Sequence, residues 1–253
     1  MIRSLTTLNN SFNILQKKQE NISANVANIN TAGYKSQEII QSTRASEVMS
    51  NHLDGPLLNR QQDIGGFTFG NQIDEIVQNF SQGGLKATTS TTDVAIQGDG
   101  FFTVQAPNGE TSYTRNGNFN VNDTGELVTQ EGYRVMGVSA DGQSAPIQVN
   151  GADFAIDNRG NIAGTGNRLM ITEFEDTASL TRAGDTLYTG QGGTTAQVGG
   201  TVVQQSYLET SNVETVDEIT NLMQVSRAFE ANQKALSAAD ETLRKAVNEV
   251  GKV

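Results

Sequence analysis

No cysteine and no tryptophan occur in this chain, and histidine occurs once, at His52. Without cysteine there is no disulfide, no thiolate nucleophile and no Cys-based metal site. A lone histidine rules out a multi-histidine metal centre and leaves little room for a Ser-His-Asp triad. His52 sits in a polar stretch and is expected to be a solvated loop residue. Long apolar runs are missing as well. Nothing approaches the roughly 18 apolar residues that a membrane-spanning helix needs. The opening Met-Ile-Arg-Ser-Leu-Thr-Thr-Leu-Asn-Asn also lacks the apolar core of about 7–15 residues that marks a secretory signal. The expectation is a chain that stays in the cytoplasm or leaves by a route that reads no cleavable signal.

Positive charge is scarce: 17 Lys and Arg stand against 28 Asp and Glu, for a net charge of −11. Such a surface repels phosphate backbones and anionic lipid, and no basic cluster offsets it, so neither nucleic acid nor membrane insertion is expected. The apolar fraction of 36% allows a core, but one that claims only part of the 253 residues.

What is present falls into four stretches. In residues 1–33, apolar side chains recur at Leu5, Leu8, Phe12, Leu15, Ile22, Val26 and Ile29. This is a heptad seam with one polar interruption at Gln19, and it predicts a helix of about 25 residues ended by Gly33. Residues 34–84 lose this pattern. They are rich in Ser, Gln, Asn and Gly, with breakers at Gly55-Pro56 and Gly65-Gly66, and are expected to form a flexible or assembly-ordered loop. Within it, Phe67–Phe69 and Ile73–Val77 are short enough to pair as edge strands.

Residues 85–207 alternate at period two. Turn signals succeed one another at Gly98-Asp-Gly100, Pro107-Asn-Gly109, Asn116-Gly117, Asp123-Thr-Gly125, Asp141-Gly142 and Asp157–Gly160. Asn-Gly and Asp-Gly supply the positive φ of tight hairpins, so a central all-β domain of short antiparallel strands is expected. Residues 211–253 open with Ser211-Asn-Val-Glu214, a capping-box pattern. A second seam then runs through Leu222, Val225, Phe229, Asn232, Leu236, Ala239, Leu243, Ala246 and Val250, and predicts a helix of roughly 55 Å. Matching seams at the two ends are expected to pair with each other or with other copies. Gln19 and Asn232 are polar seam positions, which either fix register in such arrangements or are irregular core positions open to solvent.

Three other patterns suggest chemistry at first sight and do not carry it. Gly98-Asp-Gly100 lacks the third glycine of a dinucleotide fingerprint, and β residues come after it where a helix should begin. Asn120–Glu131 is spaced like a calcium loop but has no carboxylate at its first, third or fifth place and reads as a β-hairpin. Glu173, Glu175 and Asp176 read as a solvated acidic edge rather than a glycan-cleaving pair. No cofactor, metal or catalytic residue is expected.

Six segments, falling into four motifs, carry a family resemblance. Ile22-Ser-Ala-Asn-Val-Ala-Asn-Ile-Asn-Thr-Ala-Gly-Tyr-Lys35 resembles the Asn-rich N-terminal motif of flagellar basal-body rod and hook proteins. Thr92–Val104, with its Gly-Asp-Gly-Phe-Phe, resembles their middle segment, and Tyr113–Phe119 with Gly125–Gly132 is similar to the pieces next in order in that family. Leu208–Val213 and Arg227–Asn232 resemble the closing motif, where Tyr is more usual than Phe229.

The resemblance implies a structural subunit of the rod, with no enzymatic activity, that self-assembles helically into a hollow shaft transmitting torque to the hook. It implies export by the flagellar type III apparatus without a cleaved signal, residence in the basal body, and partners among copies of itself and neighbouring rod and hook proteins. The start and length resemble the distal-rod type, with the proximal rod or a rod-like paralogue as alternatives. A secreted glycan-active or adhesive β protein on a coiled-coil stalk is the rival of another class. The expected fold class is α+β: long N- and C-terminal helices forming a coiled-coil or helical tube domain, with the all-β domain between them. The expected assembly interface comprises Leu5, Leu8, Phe12, Leu15, Ile22, Val26, Ile29, Leu222, Val225, Phe229, Asn232, Leu236 and Leu243.

Overall fold

A computed structural model describes residues 2–52, 61–139, 142–149, 151, 154–195 and 201–250, with the backbone alone at 2–4, 51, 52, 61, 62, 195, 249 and 250. The Gly55-Pro56 breaker and Asp141 of the Asp141-Gly142 turn lie outside the described residues, as does the side chain of Val250. The chain divides into two compact units. One comprises Met1–Val26, Gln37–Val77 and Thr215–Val253, and the other Ala27–Ser36 and Gln78–Glu214.

The first unit is helical with a β ribbon. It contains α1 (Ile2–Ala27) and α2 (Thr215–Val250), together with β1 (Gln37–Thr43), β2 (Glu47–His52), β3 (Gln61–Phe67) and β4 (Asn71–Gln78). β1 pairs with β4, and β2 runs antiparallel to β3 with a register shift after Met49. The ribbon lies against α1, whose asparagines supply the contacts. Asn10 Nδ2 donates to Phe69 O at 3.0 Å, and Asn21 and Asn25 both donate to Gln37 O, at 3.1 and 3.0 Å.

The helices run antiparallel where they touch. The Phe12 and Phe229 rings meet edge-on at 4.1 Å between centroids, and Asn232 Nδ2 donates to Leu8 O at 3.2 Å.

The expected coiled-coil or helical tube domain is not what the terminal helices build. The described chain has two helices, of 26 and 36 residues, touching at a few points. The physical reasons are visible. At 1.5 Å per residue the helices are about 39 and 54 Å long, so the C-terminal part of α2 outlasts its neighbour. A face of α1 that a partner helix would need is instead occupied by the ribbon, where Ile14 and Asn25 are buried. The stretch read as a loose loop thus carries four strands, and His52 ends one of them opposite Gln61. The capping box does not form as expected either. Ser211 Oγ accepts from Val213 N at 3.2 Å, and α2 starts later, at Thr215.

The second unit is β. Its strands are β5 (Leu85–Ala87), β6 (Val94–Gln97), β7 (Phe101–Gln105), β8 (Thr111–Thr114), β9 (Phe119–Val121), β10 (Leu127–Thr129), β11 (Arg134–Val138), β12 (Ser144–Pro146), β13 (Arg168–Leu169), β14 (Ile171–Glu173), β15 (Thr181–Arg182), β16 (Leu187–Thr189), β17 (Thr194–Thr195), β18 (Val202–Gln205) and β19 (Tyr207–Glu209). The main sheet has the order β15-β16-β8-β7-β11-β10-β9, while β18 pairs with β6 and β19 with β5. Its pairings are antiparallel throughout; short hairpins join β7 to β8, β9 to β10, β10 to β11 and β15 to β16, whereas β7–β11 and β8–β16 bring together strands distant in the chain.

β7 is buried on both faces. Phe102 and Val104 enter the main core with Ile96, Phe119, Leu127 and Ile147. Phe101, on the opposite face, packs with Leu180 and Tyr188. Two of the turn signals make no hairpin: Gly98-Asp-Gly100 carries the chain from β6 to β7 and Asn116-Gly117 from β8 to β9, and neither pair is hydrogen-bonded. Gly117 serves close approach instead, since a Cβ there would collide with Val94 O, while Gly117 O accepts from Val94 N at 3.0 Å. Phe102 is fully buried and stacks edge-on against Phe119 at 5.1 Å. Phe102→Ala is therefore expected to destabilise this unit by about 3–5 kcal/mol in urea unfolding monitored by near-UV circular dichroism.

Candidate functional site

Two constellations stand out, one in each unit. In the β unit, the Glu209 carboxylate at the end of β19 is fully buried. Lys35 Nζ donates to Glu209 Oε1 at 2.6 Å and to Ser81 O at 2.7 Å. Gly83 N donates to the same Oε1 at 2.9 Å, and Arg115 Nη1 reaches Oε2 at 3.3 Å. The Arg115 guanidinium also lies over the Phe101 ring, 5.1 Å from its centroid. Burial pulls the Lys35 ammonium below its ordinary 10.5; the charge and hydrogen bond of Glu209 oppose this, and Arg115 adds to it.

Glycine makes room for this node. Gly33 has φ +67°, its N donates to Glu209 O at 2.8 Å, and a Cβ would run into the backbone of Arg115 and Asn116. The Arg182 guanidinium lies 5.0 Å from the centroid of the fully buried Tyr34 ring. Beside the node, Asn212 ties together the places where the chain leaves this unit. Its Oδ1 accepts from Ser36 N at 2.8 Å, and its Nδ2 donates to Asn79 O at 2.7 Å.

In the helical unit the seam positions are mostly half-buried on both helices, but on α1 an off-seam stripe with Ile14 and Asn25 is buried at least as deeply. Leu5, Leu8, Phe12, Leu15 and Val26 are half-buried and Ile22 is buried, whereas Gln19 is exposed. On α2, Leu222, Phe229, Asn232 and Leu243 are half-buried, Val225 is buried and Leu236 is exposed. Ile29 is half-buried but lies past the end of α1, in the β unit. The structure brings Leu8, Phe12, Phe229 and Asn232 together.

Where α2 begins, Glu218 Oε1 accepts from Asn25 Nδ2 at 2.7 Å, while Glu218 Oε2 and Asn21 Oδ1 are buried without a hydrogen-bond partner. Burial raises the Glu218 carboxyl above the usual 4.5. The Asn25 hydrogen bond opposes the rise, and the charges of Asp217 and Glu38 add to it.

The calcium-like and acidic patterns have structural roles. Asn120–Glu131 is the β9–β10 hairpin and its turn, with Asn122 Oδ1 accepting from Glu126 N at 2.7 Å. Glu173 Oε1 accepts from Thr201 Oγ1 at 2.8 Å, and Asp176 caps a short 3-10 helix through Ala178 N. Sequence reasoning missed Lys35, Arg115 and Glu209 as site residues. Each lies inside a family-like motif, and the available signal was one lone charge in each of three motifs.

Profiles of known families match three segments in order: flagella basal body rod protein over residues 7–35, flagellar hook protein FlgE/F/G D1 domain over 95–164, and flagellar basal body rod FlgEFG protein C-terminal over 204–249. The node draws one charged residue from each, Lys35, Arg115 and Glu209. The chain is 34% identical to the flagellar basal-body rod protein FlgG of Agrobacterium fabrum, across 95% of this chain and 96% of that protein. It is 31% identical to FlgG of Bacillus subtilis, across 98% and 99%, and 32% identical to the rod protein FlgF of Caulobacter vibrioides, across 94% of each.

Glu209→Ala strands two buried cations and is expected to cost about 3–5 kcal/mol in urea unfolding of the β unit. Lys35→Met should cost less, because it leaves Glu209 with Arg115. For Glu218, a folded-state value above the unfolded one means that the native chain holds the proton more tightly. Stability is then greatest at low pH and declines as pH climbs from about 4.5 through the raised value. Glu218→Gln, which keeps the acceptor and adds a donor, should flatten that decline in helical melts between pH 4 and 8.

Proposed function

From the flagellar basal-body rod family, to which the chain belongs, we infer that it is a structural subunit of the rod, of the distal type. Its role is structural and non-enzymatic: copies stack helically into the shaft that carries torque to the hook, together with neighbouring rod and hook proteins. It reaches the basal body through the flagellar export apparatus without a cleaved signal.

The observation that carries the assembly reading is where apolar surface is left uncovered. Among the described residues, twelve large apolar side chains are exposed; only Val202 and Tyr207 belong to the β unit, and the other ten belong to the helical unit. Val216, Ile219, Met223, Leu236 and Val247 lie along α2. Exposed apolar surface gathered on one unit is the mark of an interaction surface. Burying a side chain of this size contributes roughly 1.5–3 kcal/mol. The seam residues Leu5, Leu8, Phe12, Leu15, Ile22, Val26, Ile29, Leu222, Val225, Phe229, Asn232, Leu236 and Leu243 are the proposed interface. Some of them close within the chain, and Leu236 and Leu243 close on other copies. A contact of this head-to-tail kind propagates as an open helix when its rotation does not close.

Deleting the gene and imaging isolated basal bodies should reveal shortened rods without hooks; complete rods and hooks would remove the assembly reading. Leu236→Asp should block incorporation into rods while leaving the purified chain folded by circular dichroism. Phe229→Asp should lose both incorporation and the Phe12 contact.

A further inference from the structure

Positive side chains are few in this chain, yet two of them line one groove. In the helical unit, a groove of about 200 Å³ runs between α1 and the facing ends of β1 and β4. Lys17 and Arg44 stand over it, Asn13 and Gln72 lie along it, and Ile14 and Ile73 line it. No carboxylate lines it, although the chain as a whole carries a net charge of −11.

The two cations differ. Lys17 Nζ is shared with Glu20 Oε2 at 2.7 Å, in an exposed pair of the kind that contributes little. Arg44 is held by its backbone, whose N donates to Gly70 O at 2.9 Å. Its guanidinium has no hydrogen-bond or ion-pair partner among the described residues. An arginine fork set over a carboxamide-lined groove presents parallel N–H donors, a geometry that suits a carboxylate. The neighbouring Asn and Gln amides add neutral donors that carboxylate oxygens accept from equally well.

We propose that this groove receives a carboxylate-bearing segment of a second copy of the chain, with Arg44 as its principal contact. The proposal rests on the assembly reading and adds to it the place and the chemistry of one contact between copies. Charge complementarity names the occupant. A free copy presents an acidic surface that would repel its neighbours, and a groove without acids, headed by an unpaired arginine, is where that repulsion turns into attraction. Nucleic acid and anionic lipid are disfavoured because the rest of the same surface repels them.

The test is a photo-crosslinking amino acid placed at the exposed Gln72 in cells that assemble the chain, with covalent products separated by mass and their peptides sequenced. The expected product is a dimer of this chain joined to an Asp- or Glu-containing peptide. Arg44→Glu should reduce its yield by roughly tenfold or more, and Arg44→Lys should retain part of it. Circular dichroism of the purified Arg44→Glu chain should be unchanged, since the side chain is exposed. If rods contain the chain but no dimer forms through Gln72, the groove proposal fails and the assembly reading stands. A product with a different protein, or a dimer yield unmoved by Arg44→Glu, also overturns the proposal. If no rods contain the chain at all, both fall together.

Discussion

A carboxylate withdrawn completely from water is the constraint on which the β unit is organised. The effective cost of burying such an ion is several kcal/mol, recovered only when every lone pair finds a well-placed donor. Glu209 meets that condition with Lys35, Gly83 N and Arg115, and its own carbonyl accepts from Gly33 N. These partners come from distant parts of the chain. The arrangement therefore forms only when the segment after α1, the approach to β5, the end of β8 and β19 are all in place. Its value is specificity more than net energy. A hydrophobic substitute of the same shape would pack adequately but would not demand those four segments in one geometry.

The helical unit is built on the opposite logic. Beside the Phe12–Phe229 ring contact and a few buried apolar side chains, it is tied by single hydrogen bonds: amides on α1 hold the ribbon, and one amide from α2 reaches a carbonyl of α1. Glu218 is left with one oxygen satisfied and the other buried without a donor. Both oxygens of the β unit's buried carboxylate have a donor, although Arg115 Nε beside it is buried without an acceptor, whereas in the helical unit one carboxylate oxygen has none. An element poised to change its surroundings can tolerate such a group, because the cost in one state is removed in another.

How much of this was legible in the sequence depends on the range of each signal. The two terminal helices were readable because helical period is local, although the prediction that their seams close into a coiled-coil or tube domain fails. Local periodicity cannot report that the ribbon occupies part of α1, or that Ile14, one place off the seam, is the residue buried there. Of the strands of 37–78, only β4 contains an expected edge strand, Ile73–Val77; the others were illegible for a related reason. They pair as narrow ribbons with both faces largely exposed, so no alternation of apolar and polar residues is imposed on them. The node was the least legible. Lys35, Arg115 and Glu209 are separated by 80 and 94 positions, and only the coincidence of one charge per motif links them.

That coincidence explains why the family motifs take the form they do. A Gly-Tyr-Lys after a helix looks like a helix stop, yet Gly33 is required because two backbones meet there, Tyr34 because its ring fills the space under Arg182, and Lys35 because Glu209 needs a cation. In the same way the Phe-Phe of β7 is two residues with two duties. Phe102 closes the main core, and Phe101 closes the second cluster and lies beneath Arg115. Ile22–Lys35, Thr92–Val104, Tyr113–Phe119 and Leu208–Val213 are thus walls of a single three-dimensional contact. A substitution in any wall acts on the others through the buried charge. The exposed stripe of α2 is under no such mutual constraint within the chain; whatever fixes its side chains acts from outside it.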